Sequence, residues 1–155
     1  MRASKLFLTT CVAIALIAAA NASQSYAQQV RGDLRVGFFT NGSNASIGAG
    51  IITGIARNLY VNPMIEYVFM SGATSLFFSG DGHYDFMIQD HAHVWLGGGL
   101  GVLYVSVNSV SETNVGLNLL AGAAWGQRES VYPYFQLKGF FSKTTNAQLA
   151  IGLRF

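Results

Sequence analysis

Ala147-Gln148-Leu149-Ala150-Ile151-Gly152-Leu153-Arg154-Phe155 closes the chain with strict alternation. Ala147, Leu149, Ile151, Leu153 and Phe155 fall on one side, and Gln148, Ala150, Gly152 and Arg154 on the other. A period of two is that of an extended strand whose faces differ. Upstream segments repeat the pattern. Phe135 and Leu137 alternate with Tyr134, Gln136 and Lys138. Val115, Leu117, Leu119, Ala121, Ala123 and Trp125 oppose Gly116, Asn118, Leu120, Gly122 and Ala124. Near the start, Leu34, Val36 and Phe38 alternate with Asp33, Arg35 and Gly37, and Ile47, Ala49 and Ile51 with Ser46, Gly48 and Gly50. Ile65, Tyr67 and Phe69 oppose Asn62, Met64 and Glu66.

Two stretches are longer. Between 75 and 89, Leu76, Phe78, Tyr84, Phe86 and Ile88 share one face, while Ser79, Asp81, His83, Asp85 and Gln89 share the other; Gly80 and Gly82 mark a candidate bend. Between 94 and 106, Gly97, Gly99 and Gly101 suit a crowded interior. The alternation predicts eight strands, at 31–40, 45–55, 59–69, 75–89, 93–107, 115–125, 131–141 and 146–155. Polar connections at 41–44, 70–74, 108–114 and 142–145 would lie at one end, and turns at 56–58, 90–92 and 126–130 at the other. Pro63 and Pro133 belong near strand ends, because proline cannot donate to a ladder.

The composition is 51% hydrophobic and 10% charged, against about 25% charged for a soluble domain. Past the N-terminal segment, no stretch reaches the ~18 uncharged apolar residues of a membrane helix without glycines or polar residues breaking it. Lipid admits only helices and closed barrels, since every backbone N–H and C=O needs a partner. The expected fold is therefore an all-β, eight-stranded antiparallel up-and-down transmembrane barrel.

Arg2 and Lys5 head an apolar run from Leu6 to Ala20, and a polar stretch follows that ends in Ser25-Tyr26-Ala27. This is the pattern of a cleavable secretory signal peptide, residues 1–27, leaving 28–155 as the barrel domain. The single cysteine, Cys11, falls in the leader, so disulfides and thiol catalysis are not expected in the barrel. Its charges balance: Arg31, Arg35, Arg57, Arg128, Lys138, Lys143 and Arg154 against Asp33, Glu66, Asp81, Asp85, Asp90, Glu112 and Glu129. No basic patch invites nucleic acid.

The terminal Phe155 on an alternating strand, the segment Gly82-His83-Tyr84-Asp85-Phe86 and the run Leu96-Gly97-Gly98-Gly99-Leu100-Gly101 resemble the small outer-membrane β-barrel families, the OmpA-like transmembrane domain and the OmpX-type proteins. Trp95 stands where those families carry a tyrosine before the glycine run. The resemblance covers about 30–155. It implies a monomer in the bacterial outer membrane, surrounded by its lipids, with Phe155 read as the C-terminal signal by the assembly machinery. The peptidoglycan anchoring of full-length OmpA proteins is not part of what it implies.

An eight-stranded barrel has a lumen filled by side chains, and buried charges there must be paired. The inward set comprises Arg31, Asp33, Arg35, Glu66, Asp81, Asp85, Lys138 and Arg154, with His83, Asn118, Gln136 and Gln148 as hydrogen-bonding neighbours. An ion-pair network built on Arg35, Glu66, Asp85, Lys138 and Arg154 would hold the lumen shut; a small gated pore is the alternative. His91 and His93 form a His-x-His, but a third metal ligand is not evident, and no cofactor or metal is expected. His83, His91 and His93 lack the His-x-Ser spacing of the lipid A deacylases, so no catalytic residue is assigned. Tyr60, Tyr67, Tyr84, Trp95, Tyr104, Trp125, Tyr132 and Tyr134 are candidates for interfacial girdles. A secreted lipocalin-like barrel binding a small hydrophobic ligand would share the period with the faces inverted; the low charge content and Phe155 argue for the membrane instead.

Overall fold

The structure, a computed structural model, describes residues 30–155 apart from 90, 109 and 127–130; the expected leader, residues 1–27, lies outside the described residues. Eight strands follow in chain order: β1 Arg31–Phe39, β2 Asn44–Ala56, β3 Leu59–Met70, β4 Ala73–Gln89, β5 Ala92–Val107, β6 Val110–Trp125, β7 Tyr132–Phe141 and β8 Asn146–Arg154. Each pairs antiparallel with the next, and β8 returns to β1 to close a barrel. The seam runs from Asp33↔Arg154 to Phe39↔Gln148. Beyond it Gly32 and Phe155 exchange backbone hydrogen bonds, Gly32 N–H to Phe155 O at 2.8 Å and Phe155 N–H to Gly32 O at 3.1 Å.

The pleat sorts side chains as the alternation predicts. Leu34, Ile47, Ile65, Phe78, Leu96, Leu119, Phe135 and Ile151, one from each strand, are exposed on the outside. Asp33, Arg35, Glu66, Asp81, Asp85, Lys138 and Arg154 are buried inside. The barrel is polar within and apolar without, the inverse of a soluble ligand-binding barrel.

Several local expectations fail. The segment 108–114 is not a loop: β6 begins at Val110, and Val110 to Asn114 pair with Val107 to Leu103 of β5. The β-branched Val110 and Thr113 favour extension and β5 supplies the partner, so the ladder overrides a loop-like composition. The expected connection at 70–74 tightens to the turn at 71–72, with Gly72 at a φ of 72°. Gly80 and Gly82 mark no bulge, since the β3–β4 register runs through both without a slip. Slips occur instead between Met87 and Gln89 against β5, and between Gly54 and Ala56 against β3. Trp95, Tyr132 and Tyr134 are not girdle residues; they turn into the lumen, sharing strand parity with His93, Gln136 and Lys138, whereas Tyr67, Tyr84 and Trp125 are exposed outside.

Pro63 lies well inside β3 rather than at its end. The β2–β3 pairing is interrupted there, between Gly50↔Met64 and Thr53↔Val61. The side chain of Asn62 repairs the gap, its Nδ2 donating to the Ile51 carbonyl at 2.7 Å. Asn62→Ala therefore leaves a part-buried carbonyl without its donor and should cost about 0.5–1.5 kcal/mol, read as a lowered urea midpoint of the folded protein in detergent or lipid.

Candidate functional site

The inward residues stack in layers along the barrel axis. At the end carrying the start of β1 and the end of β8, Arg154 Nε donates to Asp33 Oδ2 at 3.1 Å, and Tyr134 donates its hydroxyl to Asp33 Oδ1 at 2.5 Å. The Arg154 guanidinium packs against two rings that are themselves in edge contact, 4.5 Å from the centre of Trp95 and 4.6 Å from that of Tyr134. Flat, weakly hydrated guanidinium suits such stacking as an ammonium does not. Leu120 and Ala124 of β6 and Tyr132 of β7 pack with these two rings in one cluster.

In the same end layer His83 and His93 flank Asp85. His83 Nε2 is 3.4 Å from Asp85 Oδ1, and His93 Nε2 is 3.9 Å from Asp85 Oδ2. His83 also stacks on Tyr60, ring centres 5.7 Å apart. His91, the other half of the His-x-His, is exposed in the β4–β5 turn, so the two imidazoles do not share a face. Among the described residues no cluster of three or more His, Cys, Asp or Glu has the arrangement of a metal site.

The middle of the lumen holds two further pairs. Arg35 of β1 bridges to Glu66 of β3 through Nη2 and Oε1. The bridge passes over Gly48 of β2, where a Cβ would come within 2.5 Å of Glu66 Cγ. Glu66 Oε2 accepts from Gln148 Nε2 at 2.6 Å and from Ser46 Oγ at 3.4 Å. Lys138 of β7 reaches the opposite wall, where its Nζ meets Asp81 Oδ2 of β4 at 2.5 Å and donates to Ser79 Oγ at 3.1 Å. Asn118 Nδ2 donates to the other oxygen, Asp81 Oδ1, at 2.7 Å.

At the far end the lumen turns apolar. Phe39, Val68, Phe77 and Phe140 form a buried cluster, with Met70 and Leu103 against it. The sequence pattern places Phe77 on neither face. Ser75, Ser79 and Asp81 share its parity, and an aromatic among them does not announce itself as inward.

The five residues expected to form one network are all buried, yet they do not meet one another as a single set. Arg35 finds Glu66. Lys138 and Arg154 find Asp81 and Asp33, and Asp85 sits with two histidines. Parity revealed which side chains enter the lumen. It could not reveal pairings that cross the barrel, such as Lys138 with Asp81. Phe155 lies outside the lumen, half-exposed, its ring covering Gly32, whose Cβ would come within 2.5 Å of Phe155 Cζ.

No protein-family model matches the sequence, and no curated protein matches it. The fold matches solved eight-stranded outer-membrane barrels at low identity. One is the N-terminal β-barrel domain of Pseudomonas aeruginosa OprF, with a TM-score of 0.68, 16% identity, and 85% of this chain and 100% of that one covered. Another is Neisserial surface protein A, with a TM-score of 0.63, 16% identity and coverage of 83% and 98%. The outer-membrane enzyme PagL shares the fold at a TM-score of 0.53 and 15% identity, covering 81% of this chain and 98% of that one.

The pairs differ in what their loss exposes. Lys138→Met removes the cation facing Asp81 and leaves a buried carboxylate held by Asn118. A stability loss of roughly 3–5 kcal/mol is expected. Combining it with Asp81→Leu should recover much of that loss, because the uncompensated charge is then gone. Urea titration of the folded barrel by tryptophan fluorescence measures both.

Proposed function

We propose that this chain is an integral barrel of the bacterial outer membrane with a structural role in the envelope, its lumen closed by side chains. The inverted amphipathicity carries the reading: large apolar side chains are exposed on every strand, while the buried charges point to the axis. A water-soluble protein rarely exposes one continuous apolar belt of that kind, and a closed ladder satisfies the backbone in lipid. The fold shared with OprF and NspA supports the same location. A lipocalin-like binder needs the opposite arrangement of faces.

In this reading residues 1–27 direct export and are removed. The termini of the barrel face the periplasm, and the connections at 40–43, 71–72 and 142–145, with the one from β5 to β6, face outward. Phe155 serves the assembly machinery, and the barrel stands in lipid as a monomer. The Arg35–Glu66, Lys138–Asp81 and Arg154–Asp33 pairs hold the lumen occupied. This reading assigns no enzymatic role: His83 and His93 face the lumen, and His91 lies exposed in the β4–β5 turn.

The test is fractionation with heat-modifiability. Expected is an outer-membrane protein that resists carbonate extraction and whose unboiled band migrates apart from the boiled one. Release into the soluble periplasm without a band shift overturns the membrane reading. Substitutions locate the lipid. Leu119→Arg, in the middle of the outer face of β6, should cost about 2–4 kcal/mol in lipid vesicles, whereas Thr113→Arg on the same face beyond the apolar belt should cost about 0–1.

A further inference from the structure

The seal of the lumen need not be its charged part. Phe77 stands on β4, and the two rings it meets edge-on belong to β1 and β7. Phe39 is at 5.7 Å with an interplanar angle of 80°, and Phe140 at 5.1 Å with 72°. In the closed order β1 to β8, strands β1 and β7 flank β8, which lies directly across the barrel from β4. The three rings therefore meet across the lumen, Phe77 reaching in from one wall and Phe39 and Phe140 from the other. Val68 of β3 and Leu103 of β5 fill the sides. Gly101 of β5 makes room, since a Cβ there would come within 2.8 Å of Phe77 Cζ.

The layers beneath are of another kind. The Lys138 ammonium lies 5.6 Å from the centre of the Phe77 ring, so the charged zone begins immediately under it. Within that zone and the layer below, Arg35 Nε and Nη1, Arg154 Nη1 and Nη2, Gln136 Nε2 and Trp95 Nε1 are buried with no acceptor among the described residues. Buried polar groups of this sort are ordinarily met by water. A wet, charged zone can exchange partners with a passing ion. The six side chains of the apolar layer carry no N–H or O–H; beside them the buried hydroxyl of Ser75, register partner of Val68, is a small offset, and an ion crossing the layer must shed most of its hydration.

We infer that the Phe39–Phe77–Phe140 septum, not the ion pairs, is the barrier to ions in this barrel, with the polar lumen beneath it hydrated from the end that carries the termini. This rests on the reading of the chain as a closed membrane barrel. The experiment is conductance in planar lipid bilayers with purified, refolded protein in potassium chloride, each variant first checked for a heat-modifiable folded band. Phe77→Ala, Phe39→Ala and Phe140→Ala open the septum from three separate strands, so one folded variant suffices. Phe77→Leu keeps it apolar and filled, and Glu66→Gln weakens the Arg35 pair while leaving the three rings in place.

Expected are silent wild type, Phe77→Leu and Glu66→Gln, with conductance steps from the folded alanine variants. Folded alanine variants that stay silent overturn the septum, as does Glu66→Gln conducting while they do not. A conducting wild type overturns instead the closed-lumen reading on which the inference stands. Failure of the membrane reading is distinct again, because the protein then neither inserts nor shifts on a gel.

Discussion

The pairing of β1 with β8 is the constraint on which everything else rests. Without it each of those strands presents an open row of N–H and C=O groups, and the sheet has no inside. With it, the ladder closes from Asp33↔Arg154 to Phe39↔Gln148 and ends in the Gly32–Phe155 exchange. Closure turns an alternating sheet into two environments. The even-numbered face of β8 becomes lumen and the odd-numbered face becomes exterior, and the same division is imposed on every strand by register. An edge-free sheet is also the only sheet whose backbone is satisfied without water.

Closure brings a cost that the lumen has to meet. Among the described residues seven Asp, Glu, Lys and Arg side chains are buried in a narrow interior, and each would be expensive there alone. The barrel answers with short-range neutralisation at different heights. Asp33 and Arg154 meet as register partners across the seam, Arg35 and Glu66 over a glycine on β2, and Lys138 and Asp81 from opposite walls. Hydroxyl and amide groups complete the carboxylates, as Tyr134, Gln148, Ser46 and Asn118 do. The aromatic layers above and below have different chemistry. Trp95 and Tyr134 both pack against a guanidinium, whereas Phe39, Phe77 and Phe140 meet edge to face without a polar group in the rings.

The errors of sequence reading share one physical origin. Segment 110–114 looks like a loop because both faces are polar or weakly apolar, yet β5 extends far enough to pair with it. Pro63 looks like a strand end because it lacks an N–H, yet Asn62 supplies a donor from its side chain. Trp95 and Tyr132 look like interfacial anchors by residue type, yet parity places them inside. In each case composition competes with register, and register wins because it is shared with a neighbouring strand.

The sequence by itself determined the strand count, the closed class of the sheet and the side to which most residues point. These follow from a period of two, too few charges to coat a soluble surface, and no uninterrupted apolar stretch long enough for a membrane helix. Only the tertiary structure decided which charge meets which, and that Phe77 meets Phe39 and Phe140 across the lumen. Those contacts join strands from one to three places apart around the barrel. Their distances depend on the stagger of all the intervening ladders, a quantity that no single strand's alternation contains.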